Sequence, residues 1–472
     1  MTALFSPRPL LRLSHACAMF ALVLLLLAPA AAQAKNFEVE TFYLENGLQV
    51  VVIENHRAPV VSHMIWYKFG AADEQQGKSG IAHFLEHLMF KGTPKFPGNA
   101  ISTTVKKLGG NDNAFTSHDF TAYYQNVARE YLPKVMEMEA DRMTNLQLTP
   151  AVVASERQVV IEERNMRVDN QPQSLFNEQM MAAAFINHPY GTPVIGWLHE
   201  IKELTREDAL DSYQKWYAAN NAILIVAGDI TAAELKPLAY KYYGDLPVAE
   251  IEPRQRPRPA PVISTQRLVL EDARAGIPTV MKVYRAPRGS DAADVLGEIL
   301  GGTATSRLYR KLVVEEKLAV AAGVNYDPIS LNDTSFVVYA SPTPNTTPAK
   351  LEEAIEREIK RLRDKGVTLE ELNAAKSRKE ASFTYYLDSL QGPALLFGRA
   401  LCSGFDIDYV QNRLDRINAL TIEDVNAAAD TILRAENLPI TGLLTTPSGA
   451  SKKPAAANAP PPPIVTAPEV NR

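Results

Sequence analysis

Cysteine is almost missing from this chain: Cys17 and Cys402 are the only two in 472 residues. Cys17 lies in an N-terminal stretch where Arg8 and Arg12 precede the apolar run Ala16 to Leu27 and the small-residue site Ala32-Gln33-Ala34, the pattern of a cleaved secretory leader. Once residues 1–34 leave, Cys402 stands alone, so no disulfide can form within the mature chain although an exported compartment would permit one. Nothing beside Cys402 in sequence would activate a thiol, and it reads as a small core residue. The apolar run is shorter than the roughly 20 residues that a spanning helix needs, which argues against a stable membrane anchor. Basic blocks are lacking too. The formal net charge of −5 becomes −7 when Arg8 and Arg12 depart with the leader, which argues against nucleic acid as a partner. Histidine is sparse: of eight, none lies beyond His199.

What is present is enough apolar sequence for two or three ordinary domains. Between them, around 251–265, the prolines of Glu252-Pro253-Arg254-Gln255-Arg256-Pro257-Arg258-Pro259-Ala260-Pro261 deny the chain both helix and central strand, as an interdomain linker would. The flanking halves repeat each other. Leu204-Thr205-Arg206-Glu207-Asp208 opens a helix leading to Asn221 and a strand at 222–227, and Leu420-Thr421-Ile422-Glu423-Asp424 opens another leading to Asn437 and a strand at 438–444; the cap and asparagine positions are offset by 216 residues. Thr205 with Asp208, and Thr421 with Asp424, are capping-box pairs. Strand-like runs at 48–53, 60–69 and 336–340 alternate with amphipathic helices at 129–146 and 351–365. The expected class is α+β: two homologous domains, 35–250 and 266–447, each a mainly antiparallel β-sheet with helices packed on one face. The segment 448–472, rich in Pro and Ala, is expected to be a disordered tail.

Chemistry concentrates in Gly80-Ile81-Ala82-His83-Phe84-Leu85-Glu86-His87-Leu88-Met89-Phe90, an H-x-x-E-H pattern. On a helix, His83 and His87 share one face with Glu86, close enough for both imidazoles to reach one metal at about 2.0–2.1 Å. A histidine pair can also be a hydrogen-bonded core feature, but unpaired imidazole and carboxylate among apolar neighbours would be costly, and a metal relieves that cost. A hydrolytic zinc takes three protein ligands, so a third is required. A second helix, with Thr149 as cap and Pro150 in its first turn, carries Glu156 and Glu163 on one face two turns apart, with Glu162 beside them. Periodicity leaves all three open, and without context such a helix reads as a solvated face.

The H-x-x-E-H helix, the later Glu-x-x-x-x-x-x-Glu helix and the duplication together resemble the pitrilysin family of inverted-motif zinc peptidases, over about residues 42–446. The resemblance implies one Zn²⁺ per chain held by His83, His87 and Glu163, with Glu86 as general base and Glu156 as a supporting carboxylate. It implies that Asn113, Ala114, Phe115 and Thr116 form a sheet edge beside the metal on which peptide substrate pairs as an added strand. It also exposes a departure. Active single-chain relatives carry an Arg and, seven residues later, a Tyr in the second half; Val313 and Val320 hold those positions here. Neither valine donates a hydrogen bond. The expected partner is therefore a paralogous subunit that has the Arg and Tyr and lacks the zinc motif, with nearby Arg307, Tyr309 and Arg310 read as the start of a surface helix. Export to a bacterial periplasm follows from the leader and the resemblance. The rival expectation is a non-catalytic assembly or peptide-binding subunit of the same fold.

Overall fold

The computed structural model describes residues 38–447, so the leader expected at 1–34 and the tail expected at 448–472 lie outside the described residues. Two sheets organise the chain. The first contains β1 (Val39–Tyr43), β2 (Gln49–Glu54), β3 (Val60–Tyr67), β4 (Asn111–Thr116), β5 (Thr121–Ala128) and β6 (Ala222–Gly228) in the order β1-β2-β6-β3-β5-β4. The second contains β7 (Gln266–Glu271), β8 (Thr279–Ala286), β9 (Ala319–Tyr326), β10 (Thr334–Pro342) and β11 (Ile440–Thr445) in the order β7-β11-β8-β10-β9. Without β1 the two orders are the same, down to a single parallel pair in each, β2 with β6 and β7 with β11.

The helices that position the site in the first half are α1 (Ile81–Leu88), α2 (Leu132–Thr144), α3 (Pro150–Arg164), α4 (Pro172–Ala184), α5 (Arg206–Trp216) and α6 (Ala232–Tyr243). The counterparts of α1 to α5 in the second half are α7 (Asp291–Gly297), α8 (Pro348–Lys365), α9 (Leu369–Asp388), α10 (Gly392–Cys402) and α11 (Ile422–Leu433). The repeat is visible in individual bonds. Thr205 and Thr421 both cap through complete capping boxes, at α5 and α11. Asn221 then donates to Trp216 O at 2.9 Å, and Asn437 donates to Ile432 O at 2.6 Å.

Each sheet packs its own helices on one face. Val50, Val52, Val61, Ile65, Leu224 and Val226 face a core that includes Phe84, Leu85 and Leu88 of α1 and Met136 of α2. The opposite face receives a helix from the other half. α10 lies against β3 and β6, and α4 lies against β7, β8 and β11. Both contacts need a missing side chain: a Cβ on Gly398 of α10 would come within 2.1 Å of the Trp66 ring, and one on Gly442 of β11 within 2.4 Å of Met180 Sδ on α4. With both faces covered, β6 is buried at every position, which is why its sequence is an unbroken apolar run.

Residues 251–265 are irregular, as their prolines require, yet the side chain of Arg256 is only 3% exposed. Cys402 is fully buried, and burial pushes its thiol up to about 12, in keeping with a core role. Among the described residues no helix is long and apolar enough to cross a membrane.

Candidate metal centre

Helix α1 starts where Gly80 takes a left-handed φ of 88°. Its orphan amides are met by carboxylates: Glu74 accepts from Gly80 N at 2.9 Å and Ala82 N at 2.8 Å, and Glu200 accepts from Ser79 N at 2.6 Å. These bonds satisfy the start of α1, even though burial raises Glu74 well above the usual carboxylate range against the pull of the two amides. The apolar side chains turn into the core and leave His83 and His87 half-buried on the opposite side, with ring centroids 4.7 Å apart.

Helix α3 begins at Thr149, whose hydroxyl accepts from Val152 N at 3.3 Å. It brings Glu163 to the histidine pair: Oε2 lies 3.1 Å from His87 Nε2 and 3.7 Å from His83 Nε2. Three donors each at about 2.0–2.1 Å from a tetrahedral ion stand about 3.3 Å from one another, close to these spacings. Glu163 Oε2 and His83 Nδ1 are buried without a well-aligned hydrogen bond. A buried acceptor aimed between two imidazoles fits a divalent cation, and the donor set suits zinc. Among the described residues this is the one group of three or more such side chains close enough to share an ion.

The surroundings orient these donors. Glu156 accepts from His87 Nδ1 at 3.0 Å and pairs through its other oxygen with Lys91. That leaves His87 Nε2 facing Glu163, the arrangement in which an outer carboxylate sets a ligating imidazole's tautomer. Arg167 holds the second oxygen of Glu163 at 2.6 Å. Glu162 is exposed. Lys91 and Arg167 did not stand out in sequence, although each sits four residues beyond a site residue, the spacing of neighbours on a helix.

Glu86 is buried and accepts from the Thr116 hydroxyl at 2.6 Å. Burial pushes it up to about 7, with the Thr116 bond pulling the other way, which suits a proton acceptor near neutral pH. Burial, and then the charge of His87, lower His83 to about 4. For His87, burial is outweighed by the bonds to Glu156 and Glu163, which raise it to about 9. Glu163 is lowered to about 2, its own burial penalty being overcome chiefly by His87 and then His83. In the metal-free protein, then, a protonated His87 between two carboxylates supplies the positive charge.

The segment Asn113 to Thr116 belongs to β4, one of the two edge strands of the first sheet. Asn113 is exposed, whereas Phe115 is buried edge-on against Trp66 with centroids 5.3 Å apart, so an incoming strand would meet backbone there. In the second half Val313 is half-buried against the core and Val320 is 45% exposed on β9. Arg307 is engaged by Glu371 at 2.6 Å and Gly366 O at 2.8 Å. It is therefore a tie within the second half; a helix does start at 307, as expected for Ser306 to Tyr309, but Ser306 and Leu308 are buried, so that start is not a surface one.

Comparison with known proteins gives two family models, one described as insulinase (peptidase family M16) over residues 49–197 and one as the peptidase M16 inactive domain over 203–379. A relative is zinc protease PqqE of Helicobacter pylori, 31% identical over 431 residues that cover 87% of this chain and 94% of that protein. Another is a probable mitochondrial-processing peptidase subunit beta of Schizosaccharomyces pombe, 34% identical over 214 residues, 45% of this chain and 47% of that protein. Among solved structures, the crystal structure of a protease from Helicobacter pylori matches with a TM-score of 0.80 at 29% identity, over 86% of this chain and 99% of that one.

Proposed function

Because this chain belongs to the insulinase family of peptidases, family M16, we propose that it is a zinc-dependent endopeptidase acting on peptides or unfolded polypeptides. The observation that carries this reading is the convergence of His83, His87 and Glu163, from two helices far apart in sequence, with Glu86 beside them. A zinc ion held by those three side chains supplies Lewis acidity and a water that ionises near neutral pH. Glu86 takes the proton from the attacking water and delivers it to the leaving amine, and Thr116 keeps its carboxylate turned toward that work. Glu156, steadied by Lys91, fixes the tautomer of His87. The outer edge of β4 offers main-chain groups for an extended substrate, which favours polypeptide without regard to most of its side chains.

Val313 and Val320 leave the second half without a donor toward a developing oxyanion at those positions. We therefore assign this chain as the metal-bearing subunit of a pair whose paralogous partner contributes an Arg and a Tyr and has no H-x-x-E-H helix. A relative whose name marks it as a subunit supports the assignment. The leader pattern supports export, to a periplasm. The test is to incubate the zinc-loaded chain, alone and co-purified with such a paralogue, with unstructured peptides and to read the fragments by mass spectrometry. Cleavage by the pair with little by the single chain is expected; full turnover by a homogeneous single chain would remove the partner from the scheme, and no cleavage by either would remove the peptidase.

A further inference from the structure

The proline-rich connector carries two arginines that point inward. Arg256 donates to Asp73 Oδ1 at 2.7 Å, to Asp119 Oδ1 at 2.5 Å and to Asn332 Oδ1 at 3.2 Å. Arg254 donates to Asp119 O at 2.7 Å and to Cys402 O at 2.6 Å. Asp119 Oδ2 in turn accepts from Leu331 N at 2.9 Å and from the Tyr190 hydroxyl at 2.7 Å. Asp73 and Asp119 belong to the first half, while Leu331, Asn332 and Cys402 belong to the second. The connector is a strap fastened to both.

Its fastening points in the first half are not arbitrary. Asp73 precedes Glu74, the residue that caps the start of α1 through Gly80 N and Ala82 N. Asp119 follows Thr116 by three residues, and Thr116 holds Glu86. The two segments are also stitched together, Ala71 N to Ser117 O and Ala72 N to His118 O, both at 2.9 Å. One guanidinium thus joins the lead into the metal helix, the lead out of the β4 edge and a loop of the second half. The planar guanidinium aims one nitrogen at each carboxylate in a fixed fork, which a lysine ammonium, a point charge on a flexible stem, does not reproduce.

We propose that Arg256 is a positioning residue: through Asp73 and Asp119 it makes the placement of α1 and of Thr116 depend on the second half being docked. This rests on the peptidase reading of the metal centre. The second half, which has no metal motif, therefore contributes to the active centre by holding the parts that carry it. The bland alternative is an ion cluster that only glues the halves.

The test compares Arg256→Gln and Arg256→Lys with the wild type in the full zinc-loaded chain, in the assembly in which the wild type is active. An internally quenched unstructured peptide is the probe, and backbone hydrogen exchange is read in parallel. For Arg256→Gln, zinc content and KM are expected to stay put while kcat falls about tenfold or more, since small displacements near reacting groups are costly. Exchange should rise at Ala71, Ala72, Gly80 and Ala82, and Arg256→Lys should recover part of both losses. If Arg256→Gln does not fold, Asn332→Ala, which removes one neutral contact from the second-half side, is judged by the same readouts at smaller amplitude. Faster exchange confined to the connector, or spread evenly over the molecule, with kcat within about twofold of wild type overturns the coupling. A wild type that cleaves nothing overturns the peptidase reading, while the exchange pattern still decides the coupling.

Discussion

On α1 a four-residue spacing carries His83 and His87 toward the carboxylates of Glu156 and Glu163 on α3. On α7 and its continuation the same spacing carries Asp294 and Glu298 toward basic groups on α9: Lys379 reaches Asp294 at 2.7 Å, and Arg378 reaches Glu298 at 2.5 Å. Arg413 adds a second bond to Asp294 at 2.8 Å. The places correspond. α7 lies between β8 and β9 as α1 lies between β3 and β4, and each packs on its half's capped repeat helix, α11 or α5. One helix junction is thus neutralised internally, with a cation already attached to the chain on every acid. The other sets His83 Nε2 and His87 Nε2 against one oxygen of Glu163, three donor atoms close enough to share a cation from outside. The difference teaches that a set of donors fit for a metal and a structural ion cluster are alternative ways to settle the same buried junction.

The sharpest way to break the comparison is to disable the chemistry of one junction alone. Glu86→Gln is expected to keep one zinc per chain by atomic absorption yet lose about 10²–10⁴-fold in peptide hydrolysis, the contribution usual for a general acid–base group. Arg378→Gln in the second half should change hydrolysis little. Equal losses in the two variants would mean that the first junction is not the seat of the reaction.

A structural effect comes next in size. Asp294→Asn leaves Lys379 with only Glu298, at 4.0 Å, and Arg413 with only the charge of Asp291, and thermal or urea unfolding is expected to show a loss of about 3 kcal/mol, the lower end of the range for a broken buried pair because Lys379 is partly exposed and those acids remain. Zinc content should not change. If instead zinc dissociates while unfolding is unaltered, the second junction is not the self-sufficient cluster described above.

The smallest effect is a proton. His87 at about 9 is protonated at pH 7.5, whereas His83 at about 4 is already neutral and Glu163 at about 2 already charged, so zinc binding should displace close to one proton from these three side chains, in addition to any that its bound water gives up. Calorimetry in buffers of different ionisation enthalpy measures the total, which should fall by close to one proton as pH rises through about 9. By the same linkage, His87 stabilises the metal-free fold fully below its unfolded value near 6.5, a contribution that is lost as pH rises through about 9. Zinc uptake without proton release at pH 7.5 would contradict this charge arrangement.

The H-x-x-E-H helix was legible because ligands four apart meet on one face whatever the rest of the chain does, and the caps at Thr149, Thr205 and Thr421 because a cap bonds its own first turn. Glu163 was reachable only through family resemblance. Its meeting with His83 is made by α3 packing on α1, and periodicity cannot separate it from Glu156 or Glu162. The second-half cluster escaped notice because Arg378 and Lys379 on a long polar helix look like a solvated face until α7 is laid against them. Arg254 and Arg256 look like linker charges for the same reason.

Local spacing, then, was enough to name the H-x-x-E-H helix and the duplicated α+β plan, since each depends on neighbours within a few turns or on a repeat offset, whereas the two valines stood out only against the family pattern. The exchange of α4 and α10 between sheets, the burial of Arg256 between Asp73 and Asp119, and the support of Glu86 by Thr116 came from folding alone. They join residues tens to hundreds of positions apart. Such contacts form because packing and charge neutralisation are settled over the whole molecule at once, and no window along the chain contains both partners.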